Sequence, residues 1–386
     1  MSRSCSGRYE VTRVGGEEVR AFIPDALPPS PPIDLSGPRL ALLERAVLSI
    51  GRLDSVATLL PDPGLFLYAY VRREAVLSSQ IEGTQSSLSD LLLFELEEAP
   101  GVPFNDVVEV SNYVAALEHG VMRLRGGVPL CCRLLHEMHE QLMQRGRGSA
   151  KEPGQFRSSQ NWIGGTRPGN AHFVPPPPGH VSACMAELER FLNEENTGLP
   201  HLIRVALAHV QFETIHPFLD GNGRLGRLLI ALLLHRDGLL TQPLLYLSLY
   251  LKQHRKLYYE LLDGVRADAH WGAWVDFFLE GVEQTAQGAV QTAGRLVALF
   301  EEDTRRIHAT GRTASTTRHA LDALRRRPVI NLKQLCTDAG MTFPSASKAM
   351  GRLIDAGIAR ELTGQRRNRV FVYDAYIAIL NEGGEP

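Results

Sequence analysis

The sequence lacks a long hydrophobic run and contains few cysteines, and both shortages narrow the class of protein. The apolar run Leu228–Leu234 is far shorter than the roughly 20 residues needed to cross a bilayer. The stretch Met1–Arg8 has no apolar core, so we expect no secretory signal. The five cysteines form no CxxC pair, which favours free thiols in a reducing compartment. We therefore expect a cytoplasmic protein without a membrane span.

The chain is long enough for several domains, and its charge is unevenly distributed. It has 386 residues, of which 44% are hydrophobic and 22% are charged, which predicts a soluble protein with two or three domains. The net charge is only −2, but the segment from Arg312 to Tyr373 contains twelve Lys and Arg residues against four acidic ones. That segment carries about +8 and the rest of the chain about −10. This asymmetry predicts two parts with different roles.

Hydrophobic residues recur at spacings of three and four over most of the chain after Leu40, which predicts a mainly α-helical bundle. Proline and glycine residues between these stretches keep the helices short. The proline-rich segment Pro28–Asp34 is expected to be extended, with little contribution to a core. The helices expected before residue 311 include Ala41–Leu48, Leu65–Leu77, Val107–Gly120, Leu130–Met143, Val181–Asn193, Leu202–Ile215, Leu225–Arg236, Leu244–Leu262, Trp271–Thr285 and Ala289–Thr310.

One segment departs from the helical pattern. Phe156–Ile163 and Ala171–Pro175 each suit an extended strand, and the glycine-rich stretch Gly164–Asn170 between them suits a turn. A β-hairpin and an irregular connecting loop explain this pattern equally well, since an isolated hairpin is only marginally stable in water.

The basic C-terminal segment has the element order of a winged helix-turn-helix, which we expect over residues 312–386. Three helical stretches precede two short strands joined by a basic turn. Such a domain binds DNA in some proteins and docks proteins or dimerises in others, so its order of elements leaves both roles open. The side chains that would meet DNA are Ser345, Ser347, Lys348, Gly351, Arg352, Arg366, Arg367 and Arg369.

The segment from His216 to Arg227 combines the residue types of a phosphate-handling site. His216 has an unperturbed pKa near neutrality and can accept a proton, and Asp220 supplies a carboxylate for a phosphate-bound magnesium ion. The segment opens the strongly apolar helix at Leu225, where free amides and the helix dipole attract anions. A di- or triphosphate is the expected ligand, and a charged helix cap without a ligand is the alternative. Backbone and guanidinium groups for the phosphates would come from Gly221, Asn222, Gly223, Arg224 and Arg227.

A second short pattern ends the helix predicted from Leu65. Ser78 and Glu82 lie four residues apart on one helix face, and Gly83 is a natural helix terminator. Glu82 then sits at the negative end of the helix dipole, which costs about 0.3–1 kcal/mol and favours pairing with a cation. The alternative is a solvated surface glutamate.

The segment from His216 to Arg227 resembles the Fic family signature HxFx[DE]GNGRxxR at every fixed position. Fic proteins transfer nucleotide monophosphates to protein hydroxyls. The resemblance implies that His216 deprotonates the target hydroxyl and that Asp220 binds Mg²⁺. It further implies that Asn222, Gly223 and Arg224 hold the α- and β-phosphates of ATP, and that Arg227 reaches the γ-phosphate. The resemblance is clear from about residue 40 to about residue 240.

Two other segments acquire roles through the same resemblance. Ser78–Gly83 is similar to the inhibitory motif [ST]xxxE[GN], which implies that Glu82 pairs with Arg227 and occupies the space of the ATP γ-phosphate. The family flap, which aligns a target segment by strand addition, is similar to Gln155–Arg157 and Trp162–Gly164 together with Phe173–Pro175.

The expected fold is mainly α: a Fic helical bundle with a β-hairpin flap, followed by the winged helix-turn-helix. The expected function is a protein adenylyltransferase that moves AMP from ATP to Ser, Thr or Tyr hydroxyls and is autoinhibited by Glu82. A DNA-binding regulator with a nucleotide-sensing core and a Fic-type de-AMPylase are the alternatives. Expected partners are a protein substrate, the chain itself, DNA and a second copy in a homodimer. The expected domains are residues 1–120 with the inhibitory helix, the core 121–240, a helical extension 241–311, and 312–386.

Overall fold

The computed structural model describes residues 6–59, 63–96, 104–194, 198–308, 314–364 and 368–383. The chain is mainly helical, as the sequence predicts. Among the described residues, no helix is both long and apolar enough to span a membrane. The helices before residue 309 are α1 (Pro38–Leu59), α2 (Pro63–Ile81), α3 (Leu88–Phe94), α4 (Phe104–Arg125), α5 (Cys132–Leu142), α6 (Pro178–Asn193), α7 (His201–Ile215), α8 (Asn222–Arg236), α9 (Ser248–Gln253), α10 (Arg255–Asp268) and α11 (Trp271–His308).

Helices α7 and α8 form the centre of the bundle. Every residue of α7 from Leu202 to Ile215 is buried, and so is nearly all of α8. A helix that is buried on all sides has to be surrounded by other elements, and α2, α4, α5, α6, α10 and α11 provide that surrounding. The loop between α7 and α8 carries the glycine-rich motif, so the core helices hold both of its ends.

An N-terminal β-hairpin is the first element that the sequence interpretation missed. Strand β1 (Gly7–Val14) pairs antiparallel with β2 (Glu17–Pro24). Gly15 and Gly16 join them with φ angles of +59° and +87°, which fits the two-residue turn whose twist matches that of the strands. The inner strand β2 packs on α6 and α7, so the hairpin covers the bundle near the motif loop.

The helices differ from the sequence interpretation at two boundaries and by one additional helix. The expected helix Leu244–Leu262 is divided at His254 into α9 and α10, because His254 has φ −109° and ψ 29°, outside helical geometry. The two helices expected between Trp271 and Thr310 are one continuous helix, α11. Its glycines do not break it, and Gly281 is required for packing, since a Cβ there would lie 2.7 Å from the ring of Tyr250. Helix α3, which was not expected, begins at a capping box formed by Ser87 and Asp90.

The segment Phe156–Pro175 falls between the two alternatives that its sequence leaves open. A single antiparallel bridge joins Ile163 to Phe173, with the Ile163 amide donating to the Phe173 carbonyl at 2.8 Å. Between these residues the chain makes one turn of 3₁₀ helix at Pro168–Asn170. The hairpin is therefore reduced to one bridge within an otherwise irregular loop.

The C-terminal unit combines helices with a small antiparallel sheet in the order β3-β5-β4. It packs against α2, α3 and α11. Its basic turn falls largely outside the described residues, and Arg366 and Arg367 with it, so the winged helix-turn-helix stays a prediction. The elements are α12 (Ala314–Arg326), β3 (Val329–Asn331), α13 (Leu332–Ala339), α14 (Phe343–Asp355), β4 (Arg360–Glu361), β5 (Val370–Val372) and the unexpected α15 (Asp374–Asn381).

Candidate active site

His216 lies at the C-terminal end of α7 in the left-handed conformation, with φ +49°. The following residue, Pro217, disfavours helical geometry at His216, so the chain leaves the helix axis at this point. Burial lowers the pKa of the His216 imidazole to about 3, and the positive charges of Arg266 and Arg157 act in the same direction. Its Nδ1 is buried without a hydrogen-bond partner among the described residues. His216 is therefore a neutral imidazole at neutral pH.

The loop after His216 is held in shape by Asn222. The Phe218 amide donates to Asn222 Oδ1 at 2.9 Å, and Asn222 Nδ2 donates to the Phe218 carbonyl at 2.8 Å. The Asn222 side chain thus braces the loop, and its backbone N–H lies in the first turn of α8, where helix amides lack intrahelical partners. Gly221 precedes it with φ +76°, a conformation that favours glycine.

Arg157 fastens the flap segment to the motif loop from inside. Its side chain is buried, and the guanidinium donates to the carbonyls of His216 at 2.9 Å and Pro176 at 2.6 Å. The Arg157 amide also donates to the Pro217 carbonyl at 2.9 Å. Burial lowers the pKa of Arg157 to about 10, so the group remains cationic at neutral pH. The Arg157 side chain therefore joins two backbone segments, at His216 and at Pro176, to its own.

His139 supports the same loop from the opposite side. Its Nδ1 accepts from the Gly154 amide at 2.8 Å, so its Nε2 donates to the Asp220 carbonyl at 3.0 Å. Burial lowers the pKa of His139 to about 4, which keeps this tautomer neutral. The imidazole is stacked on the Phe218 ring, with 3.8 Å between centroids. The motif loop is thus fixed before any ligand binds.

Arg227 of α8 is bound by the end of α2. Its Nε donates to Ser78 Oγ at 2.8 Å, and its Nη2 donates to the Ser78 carbonyl at 3.0 Å and to Glu82 Oε1 at 2.7 Å. The Arg227 side chain is 2% exposed, whereas that of Glu82 is 36% exposed. Burial opposes ionisation of Glu82, but the positive charge of Arg227 outweighs it and holds the pKa of the carboxyl below its usual value. The two residues form a charged pair.

Gly223 allows the Glu82 carboxylate to reach the N-terminus of α8. A Cβ at Gly223 would lie only 2.3 Å from Glu82 Oε1, which no real contact permits. Glu82 follows the last residue of α2, and Gly83 turns the chain away with φ +95°. A carboxylate of the chain itself therefore occupies the anion-attracting end of α8.

Arg224 and Asp220 form the outer part of the site. The Arg224 guanidinium is buried, with Nη1 3.3 Å from Glu109 Oε2 and Nη2 3.6 Å from Asp220 Oδ1. Asp220 Oδ1 also accepts from the Gly221 amide at 2.6 Å, which orients the carboxylate. Among the described residues, no group of three or more His, Cys, Asp or Glu side chains could hold a metal ion. One oriented, 44% exposed carboxylate nevertheless suits Mg²⁺, which binds one or two carboxylates together with phosphate oxygens and water.

Comparison with known proteins identifies this arrangement. The Fic/DOC family N-terminal model matches residues 40–122, and the Fic/DOC family model matches residues 129–234, which include the whole motif and its supporting histidine. The chain contains the N-terminal and the core domain of the Fic/DOC family. The two matched regions are separated by residues 123–128.

Curated and solved Fic proteins resemble the chain over different lengths. A protein adenylyltransferase Fic from Culex quinquefasciatus is 37% identical over 152 residues, which are 39% of this chain and 27% of that protein. A Fic family protein from Desulfovibrio desulfuricans has a TM-score of 0.57 at 22% identity, covering 89% of this chain and 98% of the other. A Fic domain protein from Bacteroides thetaiotaomicron has a TM-score of 0.54 at 21% identity, covering 65% and 97%. The chain thus spans about a quarter of the matched curated relative, and the solved structures establish the shared fold.

The segment predicted to be the flap lies beside the N-terminal hairpin and contacts the motif loop, where the Asn161 side chain donates to the Phe218 carbonyl at 3.1 Å. Trp162 is 38% exposed, and the Ile163–Phe173 bridge follows it. The Phe22 amide of β2 donates to the Val174 carbonyl at 2.9 Å, so the unexpected hairpin carries one side of the flap. Gly164 is needed at the turn, since a Cβ there would lie 2.9 Å from the His172 Cβ.

Several residues of the Fic site were not singled out in the sequence, because they lie far from the motif or between its helices. The clearest is Arg266 of α10, whose guanidinium carbon lies 3.9 Å from the centroid of the Phe173 ring and whose Nη2 donates to the Glu213 carbonyl at 3.1 Å. No sequence spacing connects an isolated arginine of α10 with the flap. The motif residues His216, Asp220, Gly221, Asn222, Gly223, Arg224 and Arg227, together with Ser78 and Glu82, do come together.

Glu213 is a buried carboxyl of α7 close to the Fic motif. Its Oε1 has no hydrogen-bond partner among the described residues. A Cβ at Gly226 would lie 2.4 Å from this oxygen, so a glycine of α8 accommodates it. Burial raises the pKa of Glu213 to about 7, although the charge of Arg227 opposes the shift. At neutral pH this carboxyl therefore binds a proton more tightly in the folded protein than in the unfolded chain.

Glu213→Gln is expected to change the pH dependence of stability. A group with a raised folded pKa stabilises the protein below its unfolded pKa, near 4.5, and this stabilisation is lost as pH rises through 7. Between pH 5 and pH 8 the free energy of unfolding of the wild type should fall by about 2–3 kcal/mol more than that of the glutamine variant. Urea unfolding at both pH values measures this difference, with exposed Glu301→Gln as the control. An equal loss in wild type and Glu213→Gln would contradict the buried-carboxyl interpretation.

Proposed function

We propose that the chain is a protein adenylyltransferase that its own Glu82 holds in check. The observation that carries this proposal is the contact of Glu82 with Arg227 across Gly223, at the N-terminus of α8. The same position contains a proton acceptor, an oriented carboxylate and two buried guanidinium groups. The protein adenylyltransferase names of the curated relatives support the reaction type.

The proposed reaction joins a target hydroxyl to the α-phosphorus of ATP. The hydroxyl oxygen forms the new bond to phosphorus, the bond from phosphorus to the α,β-bridging oxygen breaks, and pyrophosphate leaves. His216 accepts the hydroxyl proton, for which its neutral imidazole is in the required state. Because Arg157 and His139 already fix the loop, little reorganisation is needed when the reactants meet.

The triphosphate would lie along the N-terminus of α8. The backbone amides of Asn222 and Gly223 and the guanidinium groups of Arg224 and Arg227 supply the positive potential. Asp220 would hold Mg²⁺ together with phosphate oxygens, and the ion would offset the charge of the phosphates. Arg224 already contacts Glu109, so its guanidinium is held in place at the α8 end of this path.

Glu82 competes with the distal phosphate for the same cation. Arg227 has four N–H donors on its Nη atoms and one on Nε, and Nε and Nη2 are engaged by Ser78 and Glu82. A γ-phosphate at Arg227 would meet the Glu82 carboxylate, and two like charges in a half-buried site repel strongly. ATP then binds in a pose unsuited to transfer until Glu82 moves.

Target proteins would be selected at the flap. The exposed Trp162 and the backbone at Ile163 and Gly164 follow Asn161, whose side chain donates to the Phe218 carbonyl of the motif loop at 3.1 Å. An extended segment of the target could add here as a strand. Because the chain has a single bridge here, the added strand would extend a very short ladder, and side-chain contacts would contribute much of the specificity. The chain itself, through its own hydroxyl groups, is also a target in this proposal, and the reaction belongs to the ATP-containing cytoplasm.

Intact-mass measurement after incubation with Mg-ATP tests this function. We compare wild type, Glu82→Gly and the Glu82→Gly/His216→Ala double variant, each alone and with a bacterial lysate as the source of targets. We expect AMP adducts that increase in Glu82→Gly and disappear in the double variant, which lacks the proton acceptor. Absence of adducts in all three proteins, with ATP binding shown by calorimetry, would overturn the proposal and favour a nucleotide sensor or a hydrolase.

DNA binding by the C-terminal unit is a second candidate function. Exposed Lys348 on α14, next to the partly exposed Ser347 and Arg352, favours it. Other cations of the segment are used internally, because ion pairs join Arg327 to Asp338 and Arg369 to Glu361. The potential available to phosphates is therefore smaller than the sequence count of about +8 indicates.

A further inference from the structure

Arg266 is a buried cation where α7, α10 and the flap segment meet. The residue is 6% exposed. Burial lowers the pKa of its guanidinium, although the charge of Asp263 opposes the shift. Because a charge is costly to bury unless it is paired and hydrogen-bonded, the contacts of this side chain have to offset a large cost of desolvation.

Three hydrogen bonds join the Arg266 guanidinium to α7 and to its own helix. Nε donates to Thr214 Oγ1 at 3.2 Å, and Nη2 donates to the Glu213 carbonyl at 3.1 Å. Nη1 donates to Asp263 Oδ1 at 3.1 Å. Glu213 and Thr214 belong to the last turn of α7, directly before Ile215 and His216. Arg266 thus fixes α10 against the turn that leads into His216.

The flap segment is attached to the same side chain through the ring of Phe173. The guanidinium carbon of Arg266 lies 3.9 Å from the centroid of this ring, well within the range of a cation–π contact. The Phe173 carbonyl accepts from the Ile163 amide at 2.8 Å, and the Phe173 amide donates to the Ile163 carbonyl at 3.1 Å. The residue that Arg266 contacts is therefore the partner of Ile163 in the bridge of the flap.

A second contact joins α10 to the flap. His172 Nε2 lies 2.5 Å from Asp263 Oδ2, and Asp263 Oδ1 accepts from Arg266. The His172 side chain is 68% exposed, whereas that of Arg266 is 7% exposed. Since exposed pairs contribute little to stability, the buried contacts of Arg266 are expected to hold the flap more firmly than the contact of His172.

We propose that Arg266 is a positioning residue for the transfer reaction, because it fixes the Phe173 side of the flap to the turn of α7 before His216. A target segment that adds at Ile163 would then lie in a set position relative to His216. This inference rests on the proposed function, in which His216 accepts the proton of the target hydroxyl. Substitution of Arg266 should loosen the flap and misplace that hydroxyl, while the phosphate-binding groups of α8 stay in place.

The charge of Arg266 also helps to keep His216 neutral. After burial, the charge of Arg266 is the largest cause that lowers the pKa of His216, and the neutral imidazole is the form that accepts a proton. Arg266→Lys keeps the positive charge. It lacks both the planar group that lies on the Phe173 ring and the fork that reaches two acceptors on α7. This variant therefore separates the charge of Arg266 from its geometry.

Hydrogen exchange of the full chain, without ATP or a target, tests whether Arg266 fixes the flap. We compare wild type, Arg266→Met and Lys256→Met. The last is the matched control, since it removes a cation of the same helix whose side chain is 92% exposed and pairs with Glu260. We expect the Ile163 amide to exchange at least tenfold faster in Arg266→Met than in the other two proteins, with unchanged exchange in α8. Equal exchange at Ile163 in all three proteins, or an equal increase throughout α8, overturns the proposal.

AMP transfer in the Glu82→Gly background measures the consequence for the reaction. Arg266→Met and Arg266→Lys should each lower AMP incorporation into lysate proteins at least tenfold, while the Kd for Mg-ATP changes less than twofold. Phe173→Leu removes the same ring contact from the flap side and should give a similar loss. Its combination with Arg266→Met should be no worse than the stronger single variant. Full incorporation in Arg266→Lys, additive losses in the combined variant, or a tenfold loss of Mg-ATP binding overturns the positioning role.

The two measurements distinguish failure of this inference from failure of the proposed function. If Glu82→Gly itself forms no AMP adduct, the proposed function fails and the role of Arg266 in transfer fails with it. Hydrogen exchange then still decides whether Arg266 holds the flap. If Glu82→Gly transfers AMP and the added Arg266→Met change leaves that rate unaltered, the inference alone fails.

Discussion

Replacing Glu82 with glycine is expected to raise the initial rate of AMP incorporation by about 5- to 150-fold. This range corresponds to a coupling free energy of about 1–3 kcal/mol between two sites. The substitution removes the carboxylate that competes with the γ-phosphate for Arg227. In the wild type, Glu82 Oε1 lies 2.7 Å from Arg227 Nη2 and occupies the space next to Gly223. Glu82 follows the end of α2, so a glycine there costs little helix stability. Initial rates with α-labelled ATP measure the effect.

Two further variants test the charge of Glu82 and the contact between Ser78 and Arg227. Glu82→Gln keeps the size of the side chain and removes its charge, so its rate should lie between those of wild type and Glu82→Gly. Ser78→Ala removes one acceptor of Arg227 Nε and should have a smaller effect, since Glu82 keeps its own contact. Equal rates in wild type and Glu82→Gly at saturating Mg-ATP would show that Glu82 does not restrain transfer.

Arg157→Met is expected to lower the free energy of unfolding by about 2–4 kcal/mol. The change removes a buried cation that donates to the carbonyls of His216 and Pro176, and those acceptors stay buried without partners. Methionine approximates the length of the aliphatic part of the arginine side chain. The decrease in the free energy of unfolding therefore reflects the lost hydrogen bonds more than a change in side-chain volume. Urea unfolding followed by circular dichroism measures it.

The same variant should also reduce AMP transfer beyond its effect on stability, because the His216 carbonyl and the flap lose their common support. The control is Arg167→Met, an exposed flap arginine that pairs with Glu17 at the surface, where such pairs contribute about 0–1 kcal/mol. A fall in stability for Arg157→Met no larger than that for Arg167→Met would refute the internal anchoring role.

The parts of the site that the sequence predicts are those whose geometry is local. His216 to Arg227 is one continuous loop and helix start, so its composition and spacing already define an anion site. Ser78 and Glu82 are four residues apart on a helix, which places them on one face whatever surrounds them. Their meeting with Arg227, more than a hundred residues away, followed from resemblance to the Fic family and not from spacing.

The parts that the sequence did not predict depend on what packs around a residue. Glu74 and Glu213 are ordinary glutamates in helical patterns, and only the surrounding helices make them buried carboxyls with raised pKa values. Arg157 stands in a stretch that suits either a strand or a connecting loop, and neither pattern indicates that its charged side chain is buried. The N-terminal hairpin did have a local signal in Gly15 and Gly16, but the outer strand β1 is largely exposed and shows little hydrophobic alternation.

Helix α2 fixes the distance and the relative orientation of two contacts, one with the C-terminal unit and one with Arg227. Near its start, Tyr68 lies beneath Arg327 of the C-terminal unit, with 5.4 Å from the guanidinium carbon to the ring centroid. Near its end, Ser78 meets Arg227. One residue added or removed between Tyr68 and Ser78 would rotate one contact relative to the other by about 100° and shift it by about 1.5 Å. The number of residues in this helix is therefore constrained as tightly as the identity of the residues at its two contacts.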